Sequence, residues 1–241
     1  SDIGQHADKE TIVLRDEDKN DIEYEDTDET RRMRGILRAY NELLDRTFID
    51  IPQLKIPLLD SDDGSFVRIS QQNKWVSRIF SRSSFDMGGR YYNAWWHLIP
   101  SSWREKITIN DSPTVEDDYS GMLIALLYAD KNKEMEGDAY SLGLPENHPF
   151  DRDILKKIIL VAINNEDQPS AVNAASYNVR QEWEDVVFTN EQVNEVIEIF
   201  KDKHPLIADQ IASDAGIRLM KRDADIAEII ISQFTNENIP I

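Results

Sequence analysis

Apolar residues recur at helical spacing over residues 29–48, where Met33, Ile36, Leu37, Tyr40, Leu43, Leu44 and Phe48 share a face. Arg31, Arg32 and Arg38 fall off that stripe and read as a solvated face. Before it, Thr11-Ile12-Val13-Leu14 and Asp21-Ile22-Glu23-Tyr24 flank a polar turn at 16–20, which predicts a hairpin. Residues 50–66 contain Pro52, Pro57 and an acidic turn ending at Gly64, and read as a loop. The spacing of Trp75, Ile79 and Phe80 predicts a short helix over 71–83. Two strand candidates, 106–110 and 114–118, are joined through Asp111-Ser112-Pro113 and lead into a helix over 122–130. From Asp138 onward helices dominate, at 151–164, 191–203 and 217–235; the polar, Asn-, Ala- and Ser-rich stretch 165–180 reads as a loop. The pattern predicts an α+β fold, with a small antiparallel sheet and helices to one side and one end of it.

Charge sharpens this picture. The 241 residues carry a net −19, which argues against indiscriminate binding to phosphate backbones. The charge is uneven: residues 1–30 hold twelve acids and three bases, leaving −10 for the other 211 residues, so a basic cleft has to be local. There is no cysteine, hence neither a disulfide framework nor a thiolate metal site. No apolar run approaches the ~18 residues that span a bilayer, and no basic-then-apolar leader opens the chain. The expectation is a cytoplasmic protein with no membrane partner. The chain stops at Asn238-Ile239-Pro240-Ile241, which reads as the opening of a buried strand, so a truncated chain is expected.

The most informative stretch is Thr114-Val115-Glu116-Asp117-Asp118-Tyr119-Ser120-Gly121. A strand that ends in acids and turns at once into a helix projects carboxylates from a sheet edge. Mg²⁺ takes oxygen ligands, commonly one or two carboxylates plus substrate phosphates. Nucleotidyl transfer uses such ions to activate the attacking oxygen and to stabilise the leaving one. Taken alone, acids at a strand end are ordinary turn residues.

Their context is an ordered run: Gly89-Arg90, then Ile99-Pro100, then Arg104, then Asp118-Tyr119-Ser120. This order resembles the palm of family A DNA polymerases, which are related to the single-subunit phage-type RNA polymerases. It is closer still to an uncharacterised polymerase-like family of phage and mobile-element proteins, in which Gly-Gly-Arg, a Trp-Trp pair and Asp-Tyr-Ser-Gly recur. The likeness covers roughly 85–241. It implies that Asp118 is the catalytic metal carboxylate, with the carbonyl of Tyr119 assisting on Mg²⁺. It implies that Arg90 and Arg104 contact a primer–template and that Arg152 and Lys156, one helical turn apart, grip the nucleoside triphosphate. The four cations would then line one cleft. It further implies an N-terminal region at 1–84, a palm core at 85–137, a helical fingers-like region at 138–216 and a helix returning to the palm at 217–241. The strand with the second metal carboxylate would follow Ile241.

Departures from the family's pattern accompany the likeness. Leu160 and Asn164 stand where its fingers helix carries aromatic residues, and Leu123 stands where a Glu screens the ribose. The resemblance therefore implies template-directed, DNA polymerase-like nucleotidyl transfer, a DNA replication activity, with a catalytically inactive palm-fold module that binds nucleic acid or a protein as the alternative. An acidic DNA mimic is a third reading, carried by charge alone. For Trp95, Trp96, Trp103, Tyr91 and Tyr92 the default is packing, since large aromatics dominate core energetics. The four histidines show no metal-ligand spacing.

Overall fold

The computed structural model describes residues 9–61, 64–117, 119 and 121–241. In chain order its elements are β1 (Ile12–Arg15), β2 (Asp21–Ile22), α1 (Asp28–Asp45), β3 (Ile49–Asp50), β4 (Leu58–Asp60), β5 (Phe66–Arg68), β6 (Ser77–Ser81), β7 (Ser84–Tyr92), α2 (Ser101–Arg104), β8 (Thr108–Ile109) and β9 (Ser112–Pro113). Helices α3 (Met122–Asp130), α4 (Arg152–Ile163), α5 (Gln168–Glu182), α6 (Asn190–Lys203) and α7 (Gly216–Asn236) follow. The fold is α+β, about 43% helical and 14% strand. No helix among the described residues is long and apolar enough to cross a membrane. The chain divides into two compact units, residues 1–118 with 223–241, and residues 119–222.

The first unit is built on a four-stranded sheet of order β2-β1-β6-β7. β1 pairs antiparallel with β2, parallel with β6, and β6 antiparallel with β7. Ile12, Leu14 and Phe80 meet Met33, Leu37, Tyr40 and Leu44 of α1 in the core. Helix α1 opens on a capping box in which Thr27 and Thr30 satisfy each other's backbone N–H. It stops at Asp45, and Phe48, expected on its stripe, is exposed. Lys74, almost fully buried, donates to the carbonyls of Asp45 and Thr47 at that C-terminus, where α1 has no base of its own. Burial pushes the Lys74 amine below its ordinary pKa.

Three expectations are overturned here and in the second unit. Residues 71–83 are not a helix; 77–81 form β6, because Val76 to Phe80 are buried on both faces and Val76 N–H and C=O are both held by the Asn41 side chain at 2.9 Å. A continuous buried run suits an inner strand as well as a helix. Residues 50–66 are not all loop, since 58–60 and 66–68 make a hairpin that buries Leu59 and Val67. Residues 165–180 are not a loop: α5 covers 168–182, capped by Asp167 and with Pro169 in its first turn. Its buried face is the small-residue stripe Ala171, Val172, Ala175, Ser176 and Val179.

The second unit packs α4, α5 and α6 around Ile154, Ile158, Ile159, Ala175, Val193, Val196 and Phe200, all buried. Buried His204 ends α6 and joins three segments. Its Nδ1 accepts from the Tyr128 hydroxyl at 2.7 Å and its Nε2 donates to the Ala139 carbonyl at 3.0 Å. Burial holds this imidazole below its ordinary pKa.

Candidate functional site

Arg90 stands on β7, next to a bulge. Ile79 pairs with Arg90 and Phe80 with Gly88, so Gly89 is the extra residue. Gly88 and Gly89 both have positive φ, at 75° and 73°. A Cβ on Gly89 would lie 2.6 Å from the Phe80 ring, which leaves glycine as the residue that fits. The Gly89 carbonyl, freed from the ladder, accepts from Nε of Arg78 at 2.7 Å. Arg78 is fully buried. Its remaining nitrogens reach Glu228 at 2.7 Å and Asp225 at 2.8 Å on α7, and its guanidinium lies against the Phe80 and Tyr91 rings. Glu228 also accepts from Arg32 of α1 at 2.7 Å. Arg90 itself is partly exposed and meets Asp223 of α7 at 3.4 Å. Sequence reasoning missed Arg78; the signal was an arginine inside the otherwise uncharged run from Trp75 to Ser81 that also holds Val76, Ile79 and Phe80.

Arg104 ends α2, which begins immediately after Ile99-Pro100. Ile99 is buried and Pro100 occupies the cap position, where its missing N–H costs nothing. Arg104 donates to Glu116 at 3.0 Å on the surface. The strand expected over 114–118 is not formed in 114–117: the chain turns tightly at Asn110-Asp111, both at positive φ, and β9 is Ser112–Pro113. Thr114 stays tethered to the Ile107 carbonyl through its N–H and hydroxyl, and Val115 beyond it is 86% exposed. Asp118 and Ser120 lie outside the described residues. Tyr119 is exposed, and Gly121, at φ 66°, is the residue from which α3 starts.

Whether this segment suits Mg²⁺ is a question of donors. Among the described residues no three acids or histidines gather as a metal cage, and Glu116 is taken by Arg104. A resident, protein-caged ion does not fit that set. One carboxylate and one carbonyl, as Asp118 and Tyr119 would offer, would suit only an ion that brings phosphate and water oxygens with it.

Arg152 and Lys156 lie on α4, in the second unit. Arg152 is clamped by the Asp138 carboxylate at 2.6 and 2.9 Å and sits over the Tyr140 ring. That clamp offsets the cost of a cation in the first turn of a helix, and it holds the Asp138 carboxyl below its usual range. Lys156 is half-buried one turn on. Asn164, at the end of α4, donates to the Leu160 carbonyl at 2.7 Å, and its amide occupies the space that a Cβ on Gly216 would need. Asn164 thus has a packing task. The four cations divide two and two between the units, and Arg90, Arg104 and Arg152 answer to three different carboxylates. Trp95 is fully buried with Trp96 edge-on against it at 5.5 Å, as packing residues are. No protein family, curated protein or solved structure compared with the chain matches it.

Proposed function

We propose that the chain supplies the palm of a template-directed nucleotidyltransferase, in which Asp118 and the Tyr119 carbonyl meet a Mg²⁺ carried in on a nucleoside triphosphate. The observation that carries this reading is the order of Gly89-Arg90, Ile99-Pro100, Arg104 and Asp118-Tyr119-Ser120 along a sheet-bearing unit whose chain leaves for a helical unit directly after Asp118. The return, at Asp223 on α7, is made on the residue that pairs with Arg90. Mg²⁺ bound there would stabilise charge on the phosphoryl oxygens. Arg90 and Arg104, on the sheet-bearing unit, would hold the primer–template backbone as charge-assisted donors. Arg152 and Lys156 would hold the triphosphate, and Arg152 would exchange Asp138 for phosphate to do so.

Primer extension by the full-length protein tests this, comparing wild type with Asp118→Asn. Loss of a metal carboxylate removes several kcal/mol of transition-state stabilisation, so incorporation should fall by at least about 100-fold. Equal extension by the two proteins would sink the reading.

A second reading, a palm-fold module that binds without making bonds, is favoured by one observation: Arg90, Arg104 and Arg152 are already neutralised by acids of the same chain. It expects salt-sensitive nucleic-acid binding with no incorporation under any metal.

A further inference from the structure

The β4–β5 hairpin has two unlike faces. Side chains alternate along a strand, and residues directly opposite each other in an antiparallel pair share a face. Leu59 and Val67 are opposite each other and buried in the core of the sheet-bearing unit. The rungs on either side, Leu58 with Arg68 and Asp60 with Phe66, point outward, and all four residues are exposed. Phe66 is 73% exposed, and its ring has no aromatic or cationic partner among the described residues. Two more exposed apolar residues are held beside the hairpin. The Ile56 carbonyl accepts from the Leu58 N–H at 2.8 Å, and the Leu98 carbonyl accepts from the Ser61 hydroxyl at 3.2 Å. Single exposed apolar residues are ordinary; a group gathered on one element marks an interaction surface.

The four outward residues form a square whose diagonals differ. Leu58 and Phe66 make an apolar diagonal, and Asp60 and Arg68 a charged one. Diagonal neighbours lie about 7–8 Å apart, and neither Asp60 nor Arg68 has an ion pair among the described residues. Elsewhere in this unit Arg15, Arg34, Arg78, Arg90 and Arg104 all answer to carboxylates of the same chain. An unspent acid and an unspent base on opposite sides of an apolar line make a face complementary to itself. A two-fold axis laid along the Leu58–Phe66 diagonal stacks each of those residues on its own copy. The same rotation sets Asp60 opposite the partner's Arg68, twice. Such reciprocity is what an isologous interface requires. A phosphate backbone would be drawn to Arg68 and repelled by Asp60, so the mixed signs favour a second copy over a nucleic-acid strand.

We propose that the outer face of this hairpin is a self-association surface. Two copies of the chain meet there about a two-fold axis, with Leu58 and Phe66 at the centre and an Asp60–Arg68 pair on either side. The inference does not rest on nucleotidyl transfer. The face is small beside the ~800 Å² per partner of a standard complex, and two copies at −19 each repel. The dimer is therefore weak and concentration-dependent. Its apolar residues supply the affinity, and its charges fix the register.

The test is analytical ultracentrifugation from about 10 μM to about 1 mM protein, the range in which weak pairs dissociate. Wild type should show a monomer–dimer equilibrium, and Phe66→Ser should sediment as monomer. Asp60→Arg sets like charge against the partner's Arg68, and Arg68→Asp sets like charge against the partner's Asp60. Each should weaken self-association at least about ten-fold. Mixed in equal amounts, the two variants regain both attractive pairs and should associate about as well as wild type. That recovery separates lost complementarity from lost folding, since a misfolded variant would not regain a partner. A wild type that is monomeric throughout, charge variants that self-associate as wild type does, or a mixture that stays monomeric each overturns the proposal. A monomeric wild type that binds a short oligo(dT) through Phe66 and Arg68 overturns it too, with a strand as the occupant.

Discussion

His204 is a titratable side chain placed where its charge is unwelcome. Its Nδ1 must stay bare to accept from Tyr128, its other nitrogen is occupied by Ala139, and Lys203 beside it adds a like charge. Because the folded pKa is depressed, the unfolded chain takes up the proton first as pH falls. Stability from this residue is therefore full above about pH 7 and declines as pH drops below about 6.5, the ordinary histidine value. His204→Gln supplies a donor and an acceptor without titrating. Urea unfolding between about pH 7 and 5 should show wild type losing stability relative to His204→Gln; parallel profiles would refute the assignment.

At the scale of elements, α7, α1 and the sheet are joined by the Arg78 cluster. A fully buried guanidinium is tolerable only because Glu228, Asp225 and the Gly89 carbonyl all accept from it. Arg78→Met should cost about 3–5 kcal/mol, since Glu228 is left buried with only Arg32. Arg78→Lys should recover little, as an ammonium cannot reach three acceptors in a plane. Chemical denaturation checks both, and the double variant Arg78→Met with Glu228→Met should be less destabilised than Arg78→Met alone. This cluster also marks where the sequence stopped being legible. The amphipathic helices α1, α4, α6 and α7 and the first hairpin followed from hydrophobic spacing, because one face is apolar and the other wet. β6 did not, since its burial on both faces erases the alternation that identifies a strand. α5 did not, because its packing face is Ala and Ser, which in isolation read as loop. The candidate site was legible as an order of motifs and not as a geometry: nothing local in the sequence says that Asp138, Glu116 and Asp223 take up its arginines.

Over the whole molecule the charge of −19 sets the background for every local ion pair. Like charges at this excess repel one another in the compact state, and salt screens them, with a Debye length near 10 Å at 0.1 M. Ion pairs at the surface are weak and lose strength in the same salt. At this imbalance repulsion outweighs them, so raising NaCl from about 20 mM to about 0.5 M should raise the thermal midpoint. A midpoint that falls instead would put the paired arginines ahead of the net charge. The same background opposes indiscriminate contact with phosphate, so any nucleic-acid affinity has to come from a few placed cations.

The contact between Gly89 and the Phe80 ring bears on how mutational surveys of this chain should be read. In a saturation library every replacement at 89 will be depleted because the strand cannot close over the ring, whatever the protein does for its host. Position 90, with its side chain in partial contact with water, carries no such burden. Selection for abundance and selection for activity should therefore agree at 89, and a divergence between them at 90 would mark a task for its side chain other than folding.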